Sequence, residues 1–214
     1  MTGGAPRPIV VATRNAGKLA ELQAMAREHG LAVEDLSAVG LGQASAEEDA
    51  LEAFATFEAN ARAKARWFAA RLPGRMVVAD DSGLEVSALG GAPGVRSKRW
   101  TGSTAEGEAL SAENNAAVLR ALEGAQDRSA RFVTVVVAVC GADEWVATGV
   151  CEGRILGAPD GRGGFGYDPL FWSHELGASF GGVAREEKAR VSHRGRAFRA
   201  LLSDAAWRSA AGRG

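Results

Sequence analysis

Cysteine is scarce: Cys140 and Cys151 are the only two in 214 residues, and they form no C-x-x-C pair. That excludes a disulfide scaffold and a cysteine-built metal site, and it predicts a reducing cytoplasm. The three histidines, His29, His174 and His193, form no H-x-x-x-H pair, so a zinc site is not expected. No apolar run approaches the roughly 20 residues that span a bilayer, and Met1 to Pro8 holds no apolar signal core. Neither a membrane partner nor secretion by that route is expected. An excess of one charge sign is lacking too: 25 basic residues against 26 acidic ones leave a net charge of -1. With a pI near 6.3, the chain has no general attraction to nucleic acid. Hydrophobic residues make up 46% of the chain, which with so small a net charge excludes disorder over most of it.

What is plentiful is glycine, 28 residues, roughly twice the usual ~7%. Gly83, Gly90, Gly91, Gly94, Gly161, Gly163, Gly164 and Gly166 cluster in predicted loops, where glycine permits tight turns and close backbone approach to a ligand. The length fits one folded domain over residues 1–214, with residues 1–7 and 209–214 frayed. Ile9 to Ala12 reads as a buried strand and Lys18 to His29 as a helix, with Leu19, Leu22 and Ala26 at helical spacing. Ala32 to Leu36 reads as a second strand. A long helix is predicted over Ala50 to Arg71, with Phe54, Phe57, Ala61 and Phe68 stepping by three and four. Met76 to Ala79 is a strand running into Asp80-Asp81-Ser82-Gly83. A helix over Ala112 to Leu122 has Ser111 as its candidate N-cap. Arg131 to Cys140 is the strongest strand, returning after a turn at 141–144 as Trp145 to Arg154. That turn sets Cys151 opposite Thr134 rather than near Cys140, so two buried thiols are expected. Asp168 to Trp172 is a short strand, and Glu186 to Trp207 is mainly helical. Strands alternating with helices around one hairpin predict an α/β fold with a mixed sheet.

Six polar constellations stand out. Thr13-Arg14-Asn15-Ala16-Gly17-Lys18 joins a strand to a helix N-terminus, a place favourable for an anion, though a capped turn with a solvated lysine reads equally well. Asp80-Asp81 offers hard oxygen ligands suited to Mg²⁺ at a strand end, or an Asp-rich turn that stops the strand. Glu47-Glu48-Asp49 precedes the long helix as favourable N-terminal charge or as a second source of metal ligands. Asn60 and Lys64, four apart, share a helix face. Gly163-Gly164-Phe165-Gly166-Tyr167-Asp168-Pro169 presents aromatics between glycines, able to stack on a base, with Asp168 able to accept from a base N–H. Lys188 and Ser192-His193-Arg194-Gly195 supply donors near the last helix.

In this order the segments resemble the inosine triphosphate pyrophosphatase family, the dITP/XTP pyrophosphatases. The matching stretches are A-T-R-N-A-G-K-L from Ala12, S-A-E-E from Ser45, N-A-R-A-K-A from Asn60 and A-D-D-S-G-L-E-V from Ala79. G-G-A-P-G-V from Gly90, G-G-F-G-Y-D-P-L-F from Gly163 and E-K-x-R-V-S-H-R-G from Glu187 complete the set. Arg14 stands where many bacterial relatives have glycine. The resemblance implies an elongated two-lobed α/β fold with a central twisted mixed sheet and the nucleotide between the lobes. It implies a cytoplasmic homodimer that uses Mg²⁺ to hydrolyse ITP, dITP and XTP to the monophosphate and pyrophosphate. Carried over by motif, Asp81 is the catalytic base, and Glu47 and Asp81 hold the metal. Thr13, Arg14, Asn15, Ala16, Gly17, Lys18, Lys64 and Ser82 lie on the phosphate side. Phe165, Gly166, Tyr167, Asp168, Lys188, His193 and Arg194 lie on the base side.

Overall fold

The structure, a computed structural model, describes residues 8–211. Seven strands form one sheet in the order β2-β1-β3-β4-β5-β6-β7. They are β1 (Ile9–Val11), β2 (Val33–Glu34), β3 (Val77–Val86), β4 (Ser129–Cys140), β5 (Asp143–Ile155), β6 (Phe171–Ser173) and β7 (Ala178–Ser179). β1 pairs in parallel with β2 and β3, whereas β6 runs antiparallel to β5 and to β7. The sheet is therefore mixed, as the alternation of elements predicts. The helices are α1 (Ala16–Glu28), α2 (Ala46–Asp49), α3 (Phe57–Arg71), α4 (Gly107–Ala121), α5 (Arg185–Val191), α6 (His193–Ser203) and α7 (Ala205–Ala211).

The chain divides into two compact units. The first comprises residues 1–81, 135–148 and 197–214; the second comprises 82–134 and 149–196. Each has its own apolar core. In the first, Ile9, Val11, Leu22, Val78, Val136, Phe198 and Trp207 pack together. In the second, Leu84, Val118, Phe132, Ile155, Leu170, Phe171 and Phe180 do so.

Several elements depart from the sequence expectation for local reasons. The long helix predicted over 50–71 is interrupted: α2 continues as a 3₁₀ turn over Ala50–Glu52, and α3 starts afresh at Phe57. Thr56 is the cause, because its extended backbone and hydroxyl, accepting from Ala59 N–H at 3.1 Å, cap a new helix. Asp80 and Asp81 do not end a strand. They lie inside β3, whose place between β1 and β4 keeps its backbone paired through Gly83 to Val86. Helix α4 begins five residues earlier than Ala112, with Glu106 at the N-cap, and Ser111 Oγ instead donates to Gly107 O within the helix at 3.0 Å. The hairpin turn is two residues, Gly141-Ala142, with Gly141 in the left-handed region at φ 61°. Both cysteines are free thiols, but only Cys151 is buried; Cys140 is half-buried. Asp168 opens a 3₁₀ turn ahead of β6 rather than a strand. Residues 209–211, expected to fray, belong to α7, which Ala211 anchors by burial; residues 1–7 and 212–214 lie outside the described residues.

Candidate functional site

In the first unit, β3 delivers two neighbouring carboxylates. Asp80 is 2% exposed and Asp81 is 7% exposed, a costly placement that requires partners. Lys18 in α1 supplies one, with Nζ 2.9 Å from Asp80 Oδ2. Lys64 in α3 donates to the Asp80 carbonyl at 3.0 Å and pairs with Glu52 Oε1 at 2.6 Å. Asn60, one turn before Lys64, donates from Nδ2 to Asp81 Oδ2 at 2.9 Å. The i, i+4 spacing of Asn60 and Lys64 thus aims both at the same strand. Three carboxylates and two ammonium groups gather here. Desolvation pushes the Asp81 carboxyl above its ordinary value; Lys18, Lys64 and the Asn60 hydrogen bond pull it down, and the charge of Glu52 pushes it up again. Burial works against the charged form of Lys64, but Glu52, Asp80 and Asp81 together outweigh it and raise its pKa.

The loop from Thr13 to Lys18 is organised as a cap. Asn15 Oδ1 accepts from Lys18 N–H at 2.9 Å, making Asn15 the N-cap of α1, and Thr13 Oγ1 accepts from Asn15 N–H at 3.2 Å. Ala16 and Gly17 form the first turn, where backbone N–H groups have no intrahelical acceptor. Arg14 is engaged elsewhere. Its guanidinium bonds both oxygens of Glu48, at 3.0 and 2.6 Å, and the carbonyls of Gly42 and Gln43, at 2.8 and 2.9 Å.

Glu47 also differs from expectation. Its side chain is 71% exposed and pairs with Arg71 at 3.0 Å, at the C-terminal end of α3. The acidic side chain brought to Lys64, and felt by Asp81, is Glu52. Sequence reasoning missed it, although residues 52, 56, 60 and 64 recur at intervals of four. Among the described residues no three His, Cys, Asp or Glu side chains form a ready-made metal cage. Mg²⁺ does not need one, since it binds through one or two carboxylates plus substrate phosphates and waters. Glu52 and Asp81 are close enough for the charge of one to oppose ionisation of the other, so a hard cation offsets a repulsion already present.

In the second unit, the loop before β6 and helices α5 and α6 build a cationic and aromatic cluster. Asp168 Oδ2 accepts from Phe165 N–H at 2.8 Å and pairs with Lys188 Nζ at 2.6 Å, all but sealed from solvent. Gly164 sits at φ 72°, and a Cβ there would collide with the Asp168 carboxylate, so only glycine allows this close approach. Lys188 Nζ lies 5.0 Å from the Phe165 ring centroid, and the Arg194 guanidinium carbon 5.5 Å from the same ring. Phe165 is half-buried, with a cation from each of two helices against it. Arg194 Nη2 donates to Ser82 Oγ at 3.0 Å, so Ser82, assigned by resemblance to the phosphate side, meets a residue assigned to the base side. His193 is buried and stacks on Phe132, with centroids 4.5 Å apart and planes 11° apart. Tyr167 is a core residue: its hydroxyl donates to Ser97 O at 2.8 Å, and burial pushes the phenol well above its ordinary pKa. Of the two aromatics, the geometry therefore retains Phe165 for stacking. Gly166 presents its carbonyl to Asn115 Nδ2 of α4 at 3.1 Å, a contact that the sequence did not flag. Its neighbour Asn114 holds the preceding loop through Lys98 O and Thr101.

These features define an α/β protein with an acidic and lysine cluster on β3 and a separate cationic and aromatic cluster ahead of β6. The chain belongs to the Ham1 family, whose profile matches residues 9–204. It is similar to the dITP/XTP pyrophosphatase of Syntrophobacter fumaroxidans, 45% identical over 191 residues, covering 89% of this chain and 78% of that protein. It is also similar to the dITP/XTP pyrophosphatase of Acidobacterium capsulatum, again 45% identical, covering 91% and 96%. Among solved structures, the Ham1 protein of Staphylococcus aureus superposes with a TM-score of 0.77 at 32% identity, covering 92% of this chain and 97% of that one.

Proposed function

We propose that this chain is a nucleoside triphosphate pyrophosphatase. It hydrolyses ITP, dITP and XTP to the nucleoside monophosphate and pyrophosphate in the cytoplasm, as a homodimer, with no nucleic-acid or membrane partner. The observation that carries the reading is the cluster of Lys18, Lys64, Asn60, Asp80, Asp81 and Glu52, joined to the family membership. A triphosphate brings about four negative charges, and phosphoryl transfer is mainly positioning plus charge neutralisation. Lys18, Lys64 and the N–H groups of the capped loop suit the phosphates. Glu52 and Asp81 are the residues to hold Mg²⁺, which when bound neutralises phosphate charge and polarises the reacting phosphoryl group. Asp81 accepts the proton of the attacking water while Asn60 holds one of its carboxylate oxygens in place.

The purine falls to the second unit's cluster. Hypoxanthine and xanthine present an O6 acceptor and an N1–H donor, and adenine the opposite pair. Asp168 accepting from N1–H, with Lys188 or Arg194 donating to O6, leaves buried groups unpaired against adenine. Phe165 holds the ring by stacking. The test is a panel of ITP, XTP, dITP, ATP and GTP with Mg²⁺. Expected is a kcat/KM at least tenfold higher for the 6-oxo deaminated purines than for ATP, a difference of about 1.4 kcal/mol or more in transition-state binding. Equal efficiency on ATP contradicts the reading.

A further inference from the structure

We propose that Arg14 is a positioning residue, a strap that ties the segment 42–52 to the loop between β1 and α1 and so sets where Glu52 stands. The proposal rests on the reading of Glu52 as a metal ligand. Arg14 lies in the middle of a loop placed to meet phosphate, yet its guanidinium is spent on the protein. Four of its five N–H donors are engaged: Nε and Nη2 on the two oxygens of Glu48, Nη1 on Gly42 O, and Nη2 again on Gln43 O. The fork on Glu48 matches the planar carboxylate, an arrangement that an ammonium group cannot reproduce. These partners lie 28 to 34 residues away in sequence.

Residues 35–45 contain no helix or strand. Beyond Arg14, the segment 42–52 is tied by Glu48 N–H to Ser45 O at 3.0 Å, by Arg71 on Glu47 at 3.0 Å and by Lys64 on Glu52 at 2.6 Å. From Ala46 the chain turns helically without a break through Glu52. Glu48 and Glu52 stand four residues apart on that short stem, Glu48 in its α-helical part and Glu52 in its 3₁₀ part. Arg14 grips the first, and the second reaches Lys64 at 2.6 Å. Fixing Glu48 therefore fixes the stem that carries Glu52. The charge consequence points the same way: Glu48 neutralises Arg14, so Arg14 adds little attraction for an incoming triphosphate.

The experiment compares Arg14→Ala, Arg14→Lys, Glu48→Gln and Glu52→Gln in the full-length enzyme. Amide hydrogen exchange of a peptide spanning 42–52 is followed without metal or nucleotide. Mg²⁺ is titrated at saturating ITP, and KM for ITP is measured at saturating Mg²⁺. Arg14→Ala, Arg14→Lys and Glu48→Gln should each speed exchange of 42–52 and raise the half-saturating Mg²⁺ about tenfold, leaving KM for ITP near wild type. The double variant Arg14→Ala/Glu48→Gln should be no worse than Arg14→Ala alone, because Glu48→Gln removes only the Glu48 part of what Arg14→Ala removes. A raised KM for ITP in Arg14→Ala, with exchange unchanged and Glu48→Gln silent, overturns the strap and makes Arg14 a phosphate contact. Faster exchange in the Arg14 and Glu48 variants, with an unmoved Mg²⁺ titration in Glu52→Gln, overturns the metal reading of Glu52 and the positioning role with it. Unchanged exchange beside a shifted Glu52→Gln titration overturns the strap alone.

Discussion

Asp81 is pulled in two directions. Burial favours its neutral form, while Lys18, Lys64 and the Asn60 amide favour the carboxylate, and burial wins. A base with a raised pKa sits closer to the pH at which it must work. Followed by NMR without metal or nucleotide, the Asp81 carboxyl should accordingly titrate above the ordinary carboxylate range of about 4. The same shift sets a stability trend. Between the unfolded and the raised folded pKa the native state binds more protons than the unfolded chain, so stability falls as pH rises through that window. Asp81→Asn should abolish turnover yet unfold at pH 7 no more easily than wild type. Residual kcat within tenfold of wild type would remove Asp81 from the chemistry, and a clear loss of thermal stability would show that its charge supports the fold. Glu52 and Glu47 separate by the same reasoning. Glu52 meets Lys64 in the cluster, whereas Glu47 meets Arg71 in solvent. Glu52→Gln should raise the Mg²⁺ requirement, and Glu47→Gln should leave the titration in place, since exposed pairs contribute only about 0–1 kcal/mol.

At the scale of elements, functional groups are placed by where a strand or helix continues or stops. β3 carries Asp80 and Asp81 through its middle, which gives them a rigid, dry setting. The strands Ile9 to Ala12 and Arg131 to Cys140 were legible because apolar continuity needs no tertiary context. The interior position of Asp80-Asp81 was not, because two acidic residues inside a strand contradict local propensity and are tolerated only through Lys18, Lys64 and Asn60. Glu52 was hidden for a related reason: its pairing with Lys64 depends on packing, although the break at Thr56 is a local cap. Asn115 illustrates helix α4 acting on a loop at a distance. Its Nδ2 holds Gly166 O, while its Oδ1 is buried without a hydrogen-bond partner among the described residues. Asn115→Ala removes a bond worth about 1 kcal/mol and relieves an unpaired acceptor costing about 1–3, so stability should change little. The loop carrying Phe165 and Asp168 loses its brace, and KM for ITP should rise several-fold with kcat less affected. An unchanged KM would make α4 a bystander to base binding.

Over the whole molecule, the two sets of residues follow the division into units. The acidic and lysine cluster sits in the first unit, and the cationic and aromatic cluster, with Ser82, in the second, each unit having its own apolar core. The motifs up to Asp81 lie in the first unit and those from Ser82 to Gly195 in the second, with the crossover inside β3; β3, β4 and β5 each contribute residues to both units. The reaction proposed for this chain has water attacking the α-phosphorus of a deaminated purine triphosphate, with pyrophosphate leaving intact. The direct measurement is hydrolysis of ITP in ¹⁸O-labelled water with Mg²⁺, with products separated and weighed by mass spectrometry. One ¹⁸O in the inosine monophosphate, unlabelled pyrophosphate and no orthophosphate is the result predicted. Inosine diphosphate with labelled orthophosphate, or label in the pyrophosphate, would contradict it.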